Sequence, residues 1–151
     1  AMPKKLDAVL GMVSDFRTRD IPIDGIGFQM HIDRYWPSVT DIRQAFSRCV
    51  AMGLKVRISE LDIRMNPNNT ATTLTPELAE LQRQRYRDVI TAYLKTVPYD
   101  LRGGITVWGL TDATSWTPGY YHIPDWPLLF DANFQRKPAW TGMSEALIAT
   151  P

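Results

Sequence analysis

The chain has 151 residues, of which 44% are hydrophobic and 22% are charged, with a formal net charge of +1 at pH 7. These values predict a globular domain with enough apolar material for one core, and they give no electrostatic basis for binding nucleic acid or an anionic membrane surface. No apolar run approaches the roughly 20 residues of a membrane-spanning helix, no signal peptide opens the sequence, and the single cysteine, Cys49, excludes an internal disulfide.

Helices and strands are predicted to alternate along the first half of the chain. Apolar residues recur at helical spacing from Leu6 to Phe16, ahead of Pro22. The run IDGIGFQMHI (23–32) then predicts a buried strand. Ser38 can cap a second helix that Gly53 closes, with Cys49 as a buried thiol on its apolar face. LKVRISELDI (54–63) predicts the second strand.

The second half continues the alternation. After the polar loop NPNNTATT (66–73), Thr75 and Pro76 are predicted as the N-cap and first residue of a long helix. The predicted apolar face of that helix consists of Leu78, Leu81, Tyr86, Val89, Ile90, Tyr93 and Leu94. GGITVWGL (103–110) predicts a third strand, a loop rich in Trp, Tyr and Pro follows, and KPAWTGMSEALIA (137–149) predicts the closing helix.

Polar residues gather at the carboxyl ends of the predicted strands. They are Gln29 and His31, Glu60 and Asp62, and Trp108 and Asp112. Strands that alternate with helices indicate βαβ units and a parallel sheet, and the carboxyl edge of such a sheet carries the chemistry in barrels and open sheets alike. We therefore expect the functional site at this edge.

The residue types at this edge suit the chemistry of sugars. Because side chains alternate along a strand, Gln29 and His31 should share one face, as should Glu60 and Asp62. A histidine between two carboxylates can hold a nucleophilic carboxylate ionised and aimed. The indole rings of Trp108 and Trp116 suit the C–H face of a sugar ring.

Plainer interpretations of the same residues stay open at this point. Glu60 and Asp62 could be solvated strand ends, His31 a core histidine, and Trp108 ordinary core. Arg64 could pair with a nearby carboxylate or face solvent, and Asp112 could cap or brace its loop. With two histidines, one cysteine and no metal-ligand spacing, a zinc site has little support.

Four stretches carry a family resemblance, in order and spacing. IDGIGFQMHI, VRISELDIRM, GGITVWGLTDATSW and PLLFDANFQRKPAW resemble the last three strands and final helix of glycoside hydrolase family 10, the β-1,4-xylanases. The resemblance implies that Glu60 is the catalytic nucleophile and that His31 and Asp62 form a hydrogen-bonded triad with it. It also implies that Gln29 contacts the same site and that Trp108 and Trp116 line the sugar subsite beside the cleaved bond.

The resemblance also implies a part that this sequence does not contain. The family fold is a (β/α)8 barrel, which takes about 250 residues, and its general acid/base is a Glu in an Asn-Glu pair on the fourth strand. No Asn-Glu pair occurs here, and the glutamates other than Glu60 fall in predicted helices. We therefore predict that residues 1–151 are the C-terminal fragment of such a catalytic domain, an α/β partial TIM barrel with its last three strands and their helices.

The implied reaction is endo-hydrolysis of β-1,4-xylosidic bonds with retention, in which this chain carries the nucleophile and lacks the acid/base. No metal or organic cofactor is expected. Alternatives are a catalytically incompetent fragment that binds xylo-oligosaccharides and a purely structural assembly unit. An apolar sheet edge and apolar inner face, exposed where the barrel is open, predict self-association or binding to the N-terminal part of the barrel. Because xylan is an extracellular polymer, a secreted or periplasmic location is expected.

Overall fold

Helices and parallel strands alternate in the structure, a computed structural model in which residues 3–149 are described. The helices are α1 (Pro3–Thr18), α2 (Val39–Ala51), α3 (Pro76–Thr96), α4 (Trp116–Tyr121) and α5 (Pro138–Ala149). The strands are β1 (Gly25–Phe28), β2 (His31–Asp33), β3 (Lys55–Arg64) and β4 (Arg102–Val107), and short 3-10 turns cover Tyr99–Leu101 and Asp112–Thr114.

The ten-residue strand β3 is the centre of a parallel sheet. On one side it pairs first with β1, where Gly25 lies opposite Lys55, and then with β2, where His31 lies opposite Asp62. On the other side it pairs with β4. Within the described residues the sheet does not close, and its four strands all point the same way. All four carboxyl ends therefore lie toward one edge.

The first predicted strand is interrupted at Gln29 and Met30. Met30 has a φ of 62°, in the left-handed region, so the chain leaves the extended conformation there. The backbone carbonyls of the two residues still accept from β3, at 3.1 Å from the Glu60 N–H and 3.4 Å from that of Asp62. Strict alternation between Gln29 and His31, which the sequence analysis assumed, is wrong because it requires an extended residue between them.

The core lies between the sheet and the helices. Fully buried β3 side chains, among them Val56 and Ile58, belong to the same apolar cluster as the rings of Phe46 on α2 and Tyr93 on α3. The Phe46 ring meets those of Phe28 and Tyr93 edge to face at 5.1 and 5.7 Å. Each such side chain stabilises the fold by about 1.5–3 kcal/mol through burial, so the helices hold β3 in place under the site.

The predicted helix ends are confirmed. The Ser38 hydroxyl accepts from the Asp41 N–H and the Asp41 carboxylate accepts from the Ser38 N–H, a reciprocal capping box. Thr75 caps α3 by accepting from the Leu78 N–H at 3.2 Å. Gly53 follows α2 with a φ of 67°, a conformation that glycine adopts without strain.

Two predictions about burial are wrong. Leu81 is 50% exposed, and the buried face of α3 instead includes Gln82 and Arg85, which donate to backbone carbonyls of neighbouring segments. The exposed face of β3 is polar, since it carries Lys55, Arg57 and Ser59 in place of an apolar barrel interior. The first error comes from segments beside α3 that are distant in sequence, whereas the polar residues of β3 alternate with the buried ones in the sequence itself.

Candidate active site

The carboxyl edge of the sheet brings an imidazole and two carboxylates together. His31 Nε2 lies 3.1 Å from Oε2 of Glu60, and His31 Nδ1 lies 2.9 Å from Oδ2 of Asp62. Because β2 pairs in parallel with β3 so that His31 lies opposite Asp62, the ring reaches both carboxylates from the neighbouring strand. A ring nitrogen that carries a hydrogen donates to the carboxylate facing it.

The two carboxylates differ sharply in burial. Asp62 is almost fully buried, whereas about a quarter of the Glu60 side chain is accessible to solvent. Burial raises the pKa of the Asp62 carboxyl above its ordinary value, and the hydrogen bond from Trp116 and the nearby His31 oppose that rise. Glu60 is therefore the accessible carboxylate, and Asp62 is the buried carboxylate that orients the imidazole through Nδ1 of His31.

Two indole rings stand beside the imidazole. Trp116 Nε1 donates to Oδ2 of Asp62 at 2.7 Å, and its ring centroid lies 5.1 Å from that of His31. The Trp108 ring lies 6.4 Å from the His31 ring and is 47% exposed, so the interpretation of Trp108 as ordinary core does not hold. The accessible Glu60 carboxylate, the exposed Trp108 indole and the half-buried Trp116 indole all lie beside His31. Together they can accommodate a ring that is apolar on its face and polar at its rim.

The loop that carries Trp116 is held by a buried ion pair. Lys137 Nζ lies 2.8 Å from Oδ2 of Asp112 and also donates to the carbonyls of Trp126 and Leu128. Oδ1 of Asp112 accepts from the Leu128 N–H at 2.8 Å. Of the two interpretations considered for Asp112, the structure supports the one in which it braces the loop.

A second ion pair lies beyond the end of β3. Arg64 Nε lies 3.3 Å from Oδ2 of Asp125, so Arg64 pairs with a carboxylate and is largely withdrawn from solvent. Oδ1 of Asp125 accepts from the Met65 N–H at 2.7 Å. The Arg64 guanidinium carbon lies 3.6 Å from the centroid of the Tyr121 ring. These contacts connect the end of β3 to the aromatic helix α4.

Sequence reasoning missed Asp125, Lys137 and Tyr121. The signal available for Lys137 was its place directly before the apolar residues Pro138 and Ala139 that begin the last helix, where a buried charge needs a partner. Gln29, by contrast, was predicted at the site, but its side chain is exposed and makes no hydrogen bond within residues 3–149. A site role for Gln29 stays a prediction.

The other glutamates lie on helices. Glu77 is exposed in the first turn of α3, and Glu80 and Glu145 both pair with Arg83, at 2.7 and 2.6 Å. In the described part of the chain, no group of three or more His, Cys, Asp or Glu side chains is arranged to hold a metal ion. No helix there is long and apolar enough to cross a membrane.

The parallel α/β fold and the carboxylates and indoles at its carboxyl edge are typical of a class of protein, the glycoside hydrolases built on a (β/α)8 barrel. The sequence model of glycosyl hydrolase family 10 matches residues 1–146, and the chain belongs to that family. The resemblance stated from the motifs is thereby confirmed, as is the partial-barrel fold.

Curated relatives and solved structures agree with the family. The chain is 45% identical to endo-beta-1,4-xylanase Xyn10C of Cellvibrio japonicus, over 97% of this chain and 26% of that protein. It is 44% identical to endo-1,4-beta-xylanase A of Cellvibrio japonicus, over 95% of this chain and again 26% of the relative. The chain therefore spans about a quarter of the length of these two relatives.

The structure superposes on native xylanase 10C from Cellvibrio japonicus with a TM-score of 0.92 and 45% identity, covering 97% of this chain and 33% of the other. A mutant of that xylanase, solved in complex with xylopentaose, matches with the same TM-score and identity, over 97% of this chain and 32% of the other. The match to a structure described as the catalytic core of xylanase A has a TM-score of 0.87 and 41% identity, over 95% and 45% of the two chains.

Proposed function

We propose that residues 1–151 are the C-terminal part of an endo-1,4-β-xylanase catalytic domain and that they carry the nucleophile half of a retaining active site. The observation that carries the proposal is the placement of His31 between the accessible Glu60 and the buried Asp62. A surface that only binds sugar needs no carboxylate aimed by an imidazole and a second acid. Membership of the family supports the reaction class.

In the first step a Glu60 oxygen attacks the anomeric carbon of a xylose unit. A bond forms between that oxygen and the anomeric carbon while the glycosidic bond breaks, and the leaving oxygen takes a proton from a general acid. Water then gives a proton to the same group, now acting as a base, while its oxygen bonds to the same carbon and the bond to Glu60 breaks, so two inversions give retention. His31 and Asp62 orient Glu60, Gln29 contacts the substrate, and Trp108 and Trp116 support the sugar ring.

The general acid is proposed to come from the N-terminal part of the barrel. A retaining glycosidase needs a second carboxyl about 5–5.5 Å from the nucleophile. Glu77 lies on a helix and is exposed at its first turn, while Glu80 and Glu145 are paired with Arg83 on the α3–α5 side of the molecule. This arrangement argues against a role for any of them opposite Glu60.

The open edge of the sheet supports a need for further protein. A cavity of about 410 Å³ lies between α1 and the β1 edge, lined by apolar side chains that include Leu6, Val9 and Phe28. Within the described residues β1 pairs only with β3, so its other edge is unpaired. An unpaired strand edge pairs readily with another strand. We propose that the N-terminal part of the barrel covers this edge, or in its absence a second copy of the chain. A monomer in light scattering, with cooperative unfolding in calorimetry, would contradict the proposal.

The test is covalent labelling with a 2-fluoro xylobioside that carries a dinitrophenolate leaving group. This leaving group departs without an acid, so the reagent reports on Glu60 and not on the missing partner. Intact-mass spectrometry should show one glycosyl adduct on the chain and none on Glu60→Gln. Glu77→Gln, which makes the same chemical change at an exposed helix position, should still label.

Absence of an adduct on the unsubstituted chain would refute the proposal that this chain by itself forms the nucleophile half of the active site.

The exposed ring of Trp108 favours a second candidate function, in which the chain binds xylo-oligosaccharides without turnover. That candidate predicts measurable affinity with no adduct, whereas a purely structural assembly unit predicts neither. Because the proposed substrate is an extracellular polymer, we also propose that the protein is secreted or periplasmic.

A further inference from the structure

We propose that Tyr120 provides an additional stacking position for a pyranose ring of the same xylan chain, next to the site formed around Glu60. The inference rests on the proposed function, because it assumes that a xylo-oligosaccharide lies along the Trp116 side of that site. It assigns a binding role to Tyr120, a residue of α4 that takes no part in the proposed catalytic chemistry, in contrast to Trp116 at the start of the same helix.

The rings of α4 continue outward from the site without a gap. The Trp116 centroid lies 5.1 Å from that of His31, and the Tyr120 centroid lies 5.2 Å from that of Trp116. Tyr121 packs edge to face on Tyr120 at 4.9 Å and lies 5.8 Å from Trp116. The aromatic surface therefore extends one ring beyond the indole that contacts Asp62.

The support beneath this surface is rigid. Asp125 is buried, pairs with Arg64, and accepts hydrogen bonds from the backbone N–H groups of Met65 and Trp126. Arg64 in turn places its guanidinium carbon 3.6 Å from the centroid of the Tyr121 ring, a cation–π contact that holds this ring against the end of β3. Tyr121 is therefore anchored to the central strand.

Tyr120 remains uncovered although its neighbours are anchored. It is 69% exposed, with its ring bounded by Trp116 and Tyr121. An aromatic side chain that is already oriented loses little conformational entropy on binding and offers a large apolar face with a polar tip. A sugar ring, apolar on its C–H face and hydroxylated around its rim, fits this combination.

The length of substrate bound by a relative gives independent support. A structural neighbour at 45% identity was solved with xylopentaose, a ligand of five sugar units. In the present chain, Trp108 and Trp116 beside His31 cannot stack on five rings, so a ligand of that length would extend beyond this pair. In the present chain, α4 supplies exposed aromatic surface where such a position would continue.

The test compares two ligand lengths by isothermal titration calorimetry on the chain. Tyr120→Ala should weaken xylopentaose binding about 3- to 10-fold, the range expected for one aromatic contact, and should weaken xylobiose binding less. Tyr120→Phe keeps the ring and should restore most of the affinity. The matched control is Tyr99→Ala, because Tyr99 is 86% exposed in the 3-10 turn before β4, at the opposite end of the sheet.

Three outcomes would overturn the inference. They are an unchanged xylopentaose affinity in Tyr120→Ala, an equal loss for both ligands, and no measurable xylopentaose binding by the unsubstituted chain. Labelling of Glu60 by the 2-fluoro xylobioside is measured separately. An adduct on Glu60 together with any of these outcomes would refute the stacking position and leave the proposed nucleophile standing.

Discussion

Replacing Lys137 with methionine should destabilise the chain strongly. Lys137 is only 5% exposed, and its ammonium lies within 2.8 Å of Asp112 and of two backbone carbonyls, those of Trp126 and Leu128. Methionine has a similar length and no charge, so Lys137→Met keeps most of the packing. It leaves the buried Asp112 without its cation.

The magnitude follows from the burial of both partners. Burial lowers the pKa of Lys137 and raises that of Asp112, so both ions lie where charge is costly and each depends on the other. Removing one member of a buried pair costs about 3–5 kcal/mol, because the remaining charge is uncompensated. Asp112 retains the Leu128 N–H, which keeps the expected loss within this range.

Urea unfolding followed by far-UV circular dichroism measures this loss. Lys137→Met should lower the free energy of unfolding by about 3–5 kcal/mol, and adding Asp112→Asn should recover part of it, since the uncompensated charge is then gone. Lys95→Met, in the exposed last turn of α3, should stay within about 0.5 kcal/mol. A loss below about 1 kcal/mol in Lys137→Met would refute the assignment of the pair as a structural support.

Two further predictions concern packing and pH. A β-carbon on Gly142 would lie 2.0 Å from the backbone oxygen of Arg83, so Gly142→Ala should push α5 away from α3. We expect this substitution to lower the free energy of unfolding by at least about 1–3 kcal/mol in the same urea assay. The control is Gly11→Ala in α1, where a β-carbon would meet no atom within 4 Å, and it should raise the free energy of unfolding by about 0.5–1 kcal/mol. Asp62 has a pKa raised by burial above 3.8, so its contribution to stability is fully present below that pH and is lost as the pH rises through the folded-state pKa. The difference in free energy of unfolding between the unsubstituted chain and Asp62→Asn should therefore fall when the urea assay is repeated from about pH 3.5 to about pH 7. A constant difference would contradict this.

Much of the local structure could be predicted from the sequence. The caps at Ser38 and Thr75 are confirmed because a cap involves residues only three positions apart, which the sequence places together by itself. The central strand β3 was also predicted, from its dense apolar run. The break at Met30 was not, because a left-handed residue other than glycine leaves no clear sequence signal.

The residues of the candidate site could be predicted from the sequence, but the ion pairs that hold the surrounding segments in place could not. The motif order identified His31, Glu60 and Asp62, and the structure brings the three together. The choice of partner for Arg64 stayed open, because Asp125 lies far along the chain in an irregular loop. Leu81 was misplaced for a similar reason, since the segments beside α3 decide which of its faces is buried.

By itself, the sequence determined four of the five helices, the caps at Ser38 and Thr75, the parallel sheet and the family, whereas α4 lies in a segment that was predicted as a loop. These features depend on neighbours within one or two turns, or on motifs that are read directly. Only the tertiary structure decided that Asp62 is buried while Glu60 stays accessible, and that Trp116, 54 positions away, donates to Asp62. Burial and hydrogen-bond partners depend on which distant segments pack together, and that packing exists only once the chain has folded.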